Sequence, residues 1–238
     1  MKIYREMVNK LEETLLLIWK DSKERRRYII GILTHNNNEY VFKYVNPELE
    51  DAKKAGFDYF PGFSNTKETY INKNILFTNI LTRLPNKNRP DYLQILNSYN
   101  LKIDSTDMEI LKNTKGRLLT DNFEFIPEFN RNKIEFDVAG TSHRKDIEKC
   151  KNIIKVNDTL FLEKEPDNKY DNYAIKVIYE KNNKKYHIGY VPRYYSKELT
   201  NLLNKNIKYS AQVESLNFNT PFRDEDILAS VKIIFNKI

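Results

Sequence analysis

The residues of this 238-residue chain whose types and spacing best suit chemistry stand in one block, Glu163-Lys164-Glu165-Pro166-Asp167-Asn168-Lys169-Tyr170-Asp171-Asn172-Tyr173-Ala174-Ile175-Lys176-Val177. A strand entering this block must end at the Glu165-Pro166 step, because proline removes a ladder donor. The polar loop that follows can hold itself through Asn and Asp side chains bonded to the backbone. Tyr170 and Asp171 then stand side by side at its edge, ahead of an apolar strand. Read as structure alone, Asn168 and Asp171 are the turn formers of a well-built loop.

Other chemistry is poorly supplied. His35, His143, His187 and Cys150 are not closely spaced, which speaks against a zinc site. No Gly-X-Ser-X-Gly, Walker A, His-Glu-X-X-His, His-Arg-Asp or Asp-Phe-Gly motif is present. Only 6 glycines occur, leaving little material for a loop that cradles nucleotide phosphates. The acids Asp224, Glu225 and Asp226 read as loop or cap residues. The run Arg25-Arg26-Arg27 could meet phosphate or could be a solvated turn. The expectation is therefore no enzyme, no catalytic residues, no metal and no cofactor.

The elements that must position such a loop follow from periodicity. Leu15 to Trp19 and Tyr28 to Leu33 are β-type runs around a charged stretch, a hairpin or two sheet strands. Thr34 to Asn38 reads as a turn and Tyr40 to Val45 as the next strand. Pro47 to Ala55 reads as a helix with Asn46 as N-cap and Gly56 just past its end. Residues 57–71 read as irregular, with a turn at Pro61-Gly62. Helical periodicity covers 75–84, then 91–99, then 105–113 with Asp104 as cap and Asp107 against the helix dipole. From residue 134 the pattern alternates. Ile134-Phe136-Val138, Leu160-Leu162, Ile175-Val177-Tyr179, Tyr186-Ile188-Tyr190, Tyr209-Ala211-Val213 and Val231-Ile233-Phe235 give six short strands, fitting a small barrel or curled sheet. Helical patterns at about 144–154 and 194–204 interrupt them. Phe125 to Asn132 is the best domain boundary.

Length fits one large domain or two small ones. Hydrophobic residues are 40% and aromatic residues 13%, enough for a core. Mean hydropathy is −0.69, and no apolar run approaches a membrane span or a secretory signal. The expectation is a cytoplasmic protein without membrane contact. Net charge is +7, which permits a polyanionic partner without requiring one. Residues 1–133 carry 22 Lys and Arg against 18 Asp and Glu, and the remainder 18 against 15, so no basic tail exists.

The loop block also resembles the HIRAN domain. It carries Lys164-Glu165-Pro166, Asn168, Tyr170-Asp171 and Ala174-Ile175-Lys176-Val177 in the order of that family, with Val138-Ala139-Gly140-Thr141 before and Ile188-Gly189-Tyr190-Val191-Pro192 after. The resemblance covers about residues 134–216. It implies an OB-like β-barrel with two helices that grips the 3′-hydroxyl end of single-stranded DNA. Tyr170 matches the aromatic residue that stacks on a base, a contact worth about 1–3 kcal/mol. Asp171 matches the acid that accepts from the terminal hydroxyl, and its charge would repel an internal phosphate. Where end-binding members carry tyrosines after the first strand, this chain has Gly140-Thr141-Ser142-His143-Arg144. His143 can stack and Arg144 can pair with phosphate. The implied DNA-binding set is Thr141, His143, Arg144, Asn168, Tyr170, Asp171, Arg193 and Tyr194. Arg193 could instead cap the next helix.

Residues 28–125 resemble the N-terminal subdomain of HipA-type kinases, through Gly31-Ile32-Leu33, Tyr40-Val41-Phe42-Lys43-Tyr44, Leu76-Phe77-Thr78-Asn79-Ile80-Leu81 with Leu84-Pro85 and Arg89-Pro90-Asp91-Tyr92, and Leu111 to Leu118. The kinase core is absent. The expected fold is thus α+β: a HipA-like sheet-plus-helices module over 1–126, then a HIRAN-like barrel over 133–238. The expected function is non-enzymatic recognition of single-stranded DNA or DNA ends. The alternative is a regulatory protein of toxin–antitoxin class that restrains a HipA-like kinase. Its face would be Leu76, Phe77, Ile80 and Leu81, unless these are simply the core of their own domain. A helicase or nuclease is the protein partner that fits the DNA reading.

Overall fold

A computed structural model describes residues 13–217 and 228–235. The acids Asp224, Glu225 and Asp226 lie outside the described residues. The chain divides into two compact units, Met1–Glu128 and Phe129–Ile238.

The first unit is built on an antiparallel sheet of order β4-β3-β2-β1-β5. Its strands are β1 (Glu13–Lys20), β2 (Arg27–Asn36), β3 (Glu39–Tyr44), β4 (Thr69–Lys73) and β5 (Phe123–Pro127). β1 and β2 form the expected hairpin. Asp21 shapes its connection by accepting from the backbone N–H of Lys23 at 3.0 Å and Glu24 at 2.7 Å. The arginine run does not stand wholly in solvent: Arg26 lies 5.0 Å over the Tyr28 ring, and Arg27 Nε donates to Glu124 at 3.0 Å. β2 continues through Thr34, His35 and Asn36, so the turn expected over 34–38 shrinks to Asn37-Asn38. Asn37 takes the left-handed φ of 54° that such a tight hairpin needs.

The helices are α1 (Glu48–Lys54), α2 (Thr78–Leu81), α3 (Tyr92–Ser98) and α4 (Asp107–Thr114). Two expected caps are corrected. Pro47, not Asn46, occupies the N-cap of α1, with no side-chain cap bond. α4 is capped by Thr106, not Asp104: Thr106 Oγ1 accepts from Glu109 N at 3.1 Å, and Glu109 Oε2 accepts from Thr106 N at 2.8 Å. This capping box satisfies two donors at once, which a lone aspartate cannot. The helix expected over 75–84 is reduced to α2. β4 and β5 were not expected from sequence; β5 occupies part of the proposed boundary and pairs with β1.

The core of this unit gathers Leu17, Ile30, Leu33, Phe42, Phe60 and Phe125. Leu76, Phe77 and Ile80 lie in the same core, and Leu81 packs against it. The face expected to meet a partner kinase is therefore interior. Glu124 is buried between Arg27 and Arg117, whose Nε donates at 2.8 Å. Burial alone would raise its carboxyl, but the two guanidinium charges hold it well below the usual carboxylate range.

The second unit carries two three-stranded sheets, β10-β11-β6 and β7-β8-β9. The strands are β6 (Lys133–Asp137), β7 (Leu160–Lys164), β8 (Ile175–Lys181), β9 (Lys184–Tyr190), β10 (Tyr209–Asn217) and β11 (Leu228–Phe235). All six expected strands are present. A 3₁₀ turn (Thr141–His143), α5 (Lys145–Cys150) and α6 (Arg193–Asn204) fill the connections. The expected OB-like barrel is not one closed sheet. One isolated bridge, Ala139↔Tyr190, joins β6 to β9, and another, Thr159↔Gln212, reaches from the start of β7 to β10. The first bridge explains Gly189. At φ 149°, a Cβ there would stand 2.5 Å from Val138 Cγ1 and 2.6 Å from the Ala139 oxygen. Ile134, Phe136, Val138, Ile175, Val177, Ile188, Leu199 and Val213 are buried. α5 is shorter than its expected span, and Cys150 on it is buried, which pushes its thiol up to about 11.

Candidate nucleic-acid interface

The Glu165–Ala174 loop joins β7 to β8 and is closed at its base by Glu165 N donating to Ala174 O at 2.8 Å. Asn168 shapes the interior. Its Oδ1 accepts from Tyr170 N at 2.9 Å and from Asp171 N at 3.2 Å. These bonds fix the backbone of the two residues that sequence singled out, as a carboxamide in a turn is suited to do. Tyr170 projects with 85% of its surface exposed.

Asp171 is half-buried and braced. Its Oδ1 accepts from Tyr173 N at 2.9 Å, and its Oδ2 accepts from the Ser196 hydroxyl at 2.7 Å. Ser196 is buried on the first turns of α6. Two further bonds pin the loop to that helix: Arg193 Nη1 donates to Tyr170 O at 3.3 Å, and Thr200 Oγ1 donates to Tyr173 O at 3.1 Å. Arg193 is the first residue of α6, and its contact is to the loop.

Glu165 forms the other side of the arrangement. Its Oε1 pairs with Lys176 Nζ at 2.6 Å. Its Oε2 accepts from Asn168 Nδ2 at 2.6 Å and from the Tyr190 hydroxyl at 2.8 Å. The Lys176 bond leads, with Asn168 and Tyr190 adding to it, in holding this carboxyl at about 2. The Tyr190 ring in turn lies 4.8 Å under the Arg144 guanidinium and meets His187 edge-on at 4.8 Å. Arg144 Nε is buried and makes no hydrogen bond among the described residues. His187 is lowered from its usual value, first by burial and then by the Arg144 charge.

Of the eight residues read from sequence, Arg144, Asn168, Tyr170, Asp171 and Arg193 fall on one connected network. His143 is exposed on the 3₁₀ turn. Thr141 is fully buried, so its side chain is not at the surface. Tyr194 packs edge-on against Tyr195 at 4.7 Å. Sequence reasoning missed the connecting roles of Glu165, Lys176, Tyr190 and Ser196. Ser196 lies three residues beyond Arg193, one helical turn on, which was the available signal. Tyr190 and Lys176 alternate along strands in the same way as structural residues, so nothing marked them.

Among the described residues no group of three or more His, Cys, Asp or Glu is arranged to hold a metal, and no helix is long and apolar enough to cross a membrane. The family model of the HIRAN domain matches residues 132–232. That span contains every residue of the network. Two solved structures are similar at low identity. The HIRAN domain of human HLTF is 20% identical, with 44% of this chain and 74% of that chain covered and a TM-score of 0.34. A Lactobacillus plantarum protein from a structural genomics programme is 21% identical, with 43% and 92% covered and a TM-score of 0.33. No curated protein matches.

Proposed function

We propose that the second unit is a DNA-binding domain of the HIRAN type that grips the 3′-hydroxyl end of single-stranded DNA, and that the protein acts by binding without catalysing a reaction. The observation that carries this reading is the pairing of an exposed ring with a braced carboxylate, Tyr170 at 85% exposure beside Asp171 held by Ser196. A base has a π-face whatever its identity, so stacking on Tyr170 is tolerant of sequence. Each oxygen of Asp171 takes one internal donor, which leaves lone pairs for a further hydroxyl. An internal phosphate at that place would face the carboxylate charge. A terminal hydroxyl would donate to it. The Arg144 guanidinium, lying over the Tyr190 ring, supplies the cation for the nearest phosphate.

Affinity measured for single-stranded DNA, duplex DNA and single-stranded RNA of one sequence, at two salt concentrations, tests the proposal. An end grip spans two or three nucleotides and engages few phosphates. At about −0.7 per phosphate, the slope of log affinity against log salt should be roughly −1 to −2. Preference for duplex DNA, or a much steeper slope, would point to general polyanion binding by a basic surface.

A further inference from the structure

Glu165 is the one side chain in the network that touches both of its halves. Its carboxylate meets β8 through Lys176, the loop interior through Asn168 and β9 through Tyr190. Its own backbone closes the loop, with N donating to Ala174 O at 2.8 Å and O accepting from Asn168 N at 3.1 Å. Asn168 can present Oδ1 to the amides of Tyr170 and Asp171 only if its Nδ2 points the other way, and that nitrogen is the one bonded to Glu165. Tyr190, whose hydroxyl ends on the same oxygen of Glu165, carries Arg144 on its ring face.

We propose that Glu165 is a positioning residue that fixes the Tyr170–Asp171 edge through Asn168 and the Arg144 side through Tyr190. A carboxylate is needed because all three partners donate. An amide at this position would turn its NH₂ either to Lys176 or to the Asn168–Tyr190 pair, so one donor would face another in either orientation. Charged hydrogen bonds of this kind are the strong ones. The consequence for DNA rests on the function proposed above; the consequence for the loop does not.

The test is a cycle of Glu165→Ala, Asn168→Ala and the double variant, in the full chain, read in two ways. Amide exchange at Tyr170 and Asp171 should rise roughly tenfold in each single variant, while β8 amides keep their protection. The double variant should exchange no faster than Asn168→Ala alone, because Glu165 acts through Asn168. Affinity for a short single-stranded oligonucleotide with a free 3′-hydroxyl should also fall, and the double variant should lose more than Asn168→Ala alone only by what Glu165 adds through Tyr190 and Arg144. Glu165→Gln is read in the same way if Glu165→Ala does not fold. Unchanged exchange at Tyr170 and Asp171, or exchange effects there that multiply in the double variant, would overturn the positioning role. Wild-type protein that binds free and blocked ends equally would instead overturn the end-recognition reading, while the exchange result would still decide for or against Glu165.

Discussion

Replacing Tyr170 by alanine separates binding from folding. The ring is 85% exposed. Among the described residues its hydrogen bonds are made by its backbone, N to Asn168 Oδ1 at 2.9 Å and O from Arg193 at 3.3 Å, and alanine keeps both. An exposed substitution of this type shifts stability by less than about 0.5 kcal/mol. If the ring stacks on a base, its loss removes about 1–3 kcal/mol of binding energy. That is roughly 5- to 150-fold in the dissociation constant. Because no charge changes, the salt dependence should stay the same. Fluorescence anisotropy of a 5′-labelled oligonucleotide at several salt concentrations, beside a thermal melt, gives all three quantities. An unchanged affinity with an unchanged melt would refute the stacking role. A large drop in melting temperature would refute the claim that the ring stands clear of the fold.

Arg144→Ala should reduce the magnitude of the salt slope by about 0.7, one single-strand phosphate, as read from affinities over a salt series. Glu124→Gln removes a buried charge that Arg27 and Arg117 both engage, and should destabilise the first unit by about 3–5 kcal/mol in denaturant titration. The pH dependence of the loop follows from Glu165. Its pKa in the fold is depressed to about 2 from an ordinary 4.5, so the stabilisation it gives is complete above the ordinary value and is lost as pH falls towards about 2. Amide protection at Tyr170 and Asp171 should follow that same window, with the slope set by one proton.

How far the sequence could be read differs between the two units for physical reasons. In the second unit the apolar residues of the six strands alternate along the sequence, and all six are present. In the first unit β4 reads Thr-Tyr-Ile-Asn-Lys and is an edge strand with Ile71 exposed, so its pattern gave no apolar face to detect. β5 ends in Pro127, and proline at a strand end reads as a break. Pairing of β5 with β1 is a contact across about a hundred residues, which no local pattern encodes. The loop of the candidate site was legible because Asn168, Tyr170 and Asp171 act on their own neighbourhood. Ser196 and Tyr190 were not, because each reaches the loop across 25 residues of chain. Thr141 lay near the right turn in sequence, but its side chain points into the fold.

End recognition itself is tested most directly by one comparison. Two single-stranded oligonucleotides of the same sequence, one with a free 3′-hydroxyl and one ending in a 2′,3′-dideoxynucleotide, differ by the single hydroxyl that Asp171 is proposed to accept. Dissociation constants for both should be measured on wild-type protein and on Asp171→Asn. The free end should bind wild type roughly tenfold more tightly, as expected for one hydrogen bond to a charged acceptor, and the difference should shrink in Asp171→Asn. Equal affinity of wild type for the two ends would contradict the account.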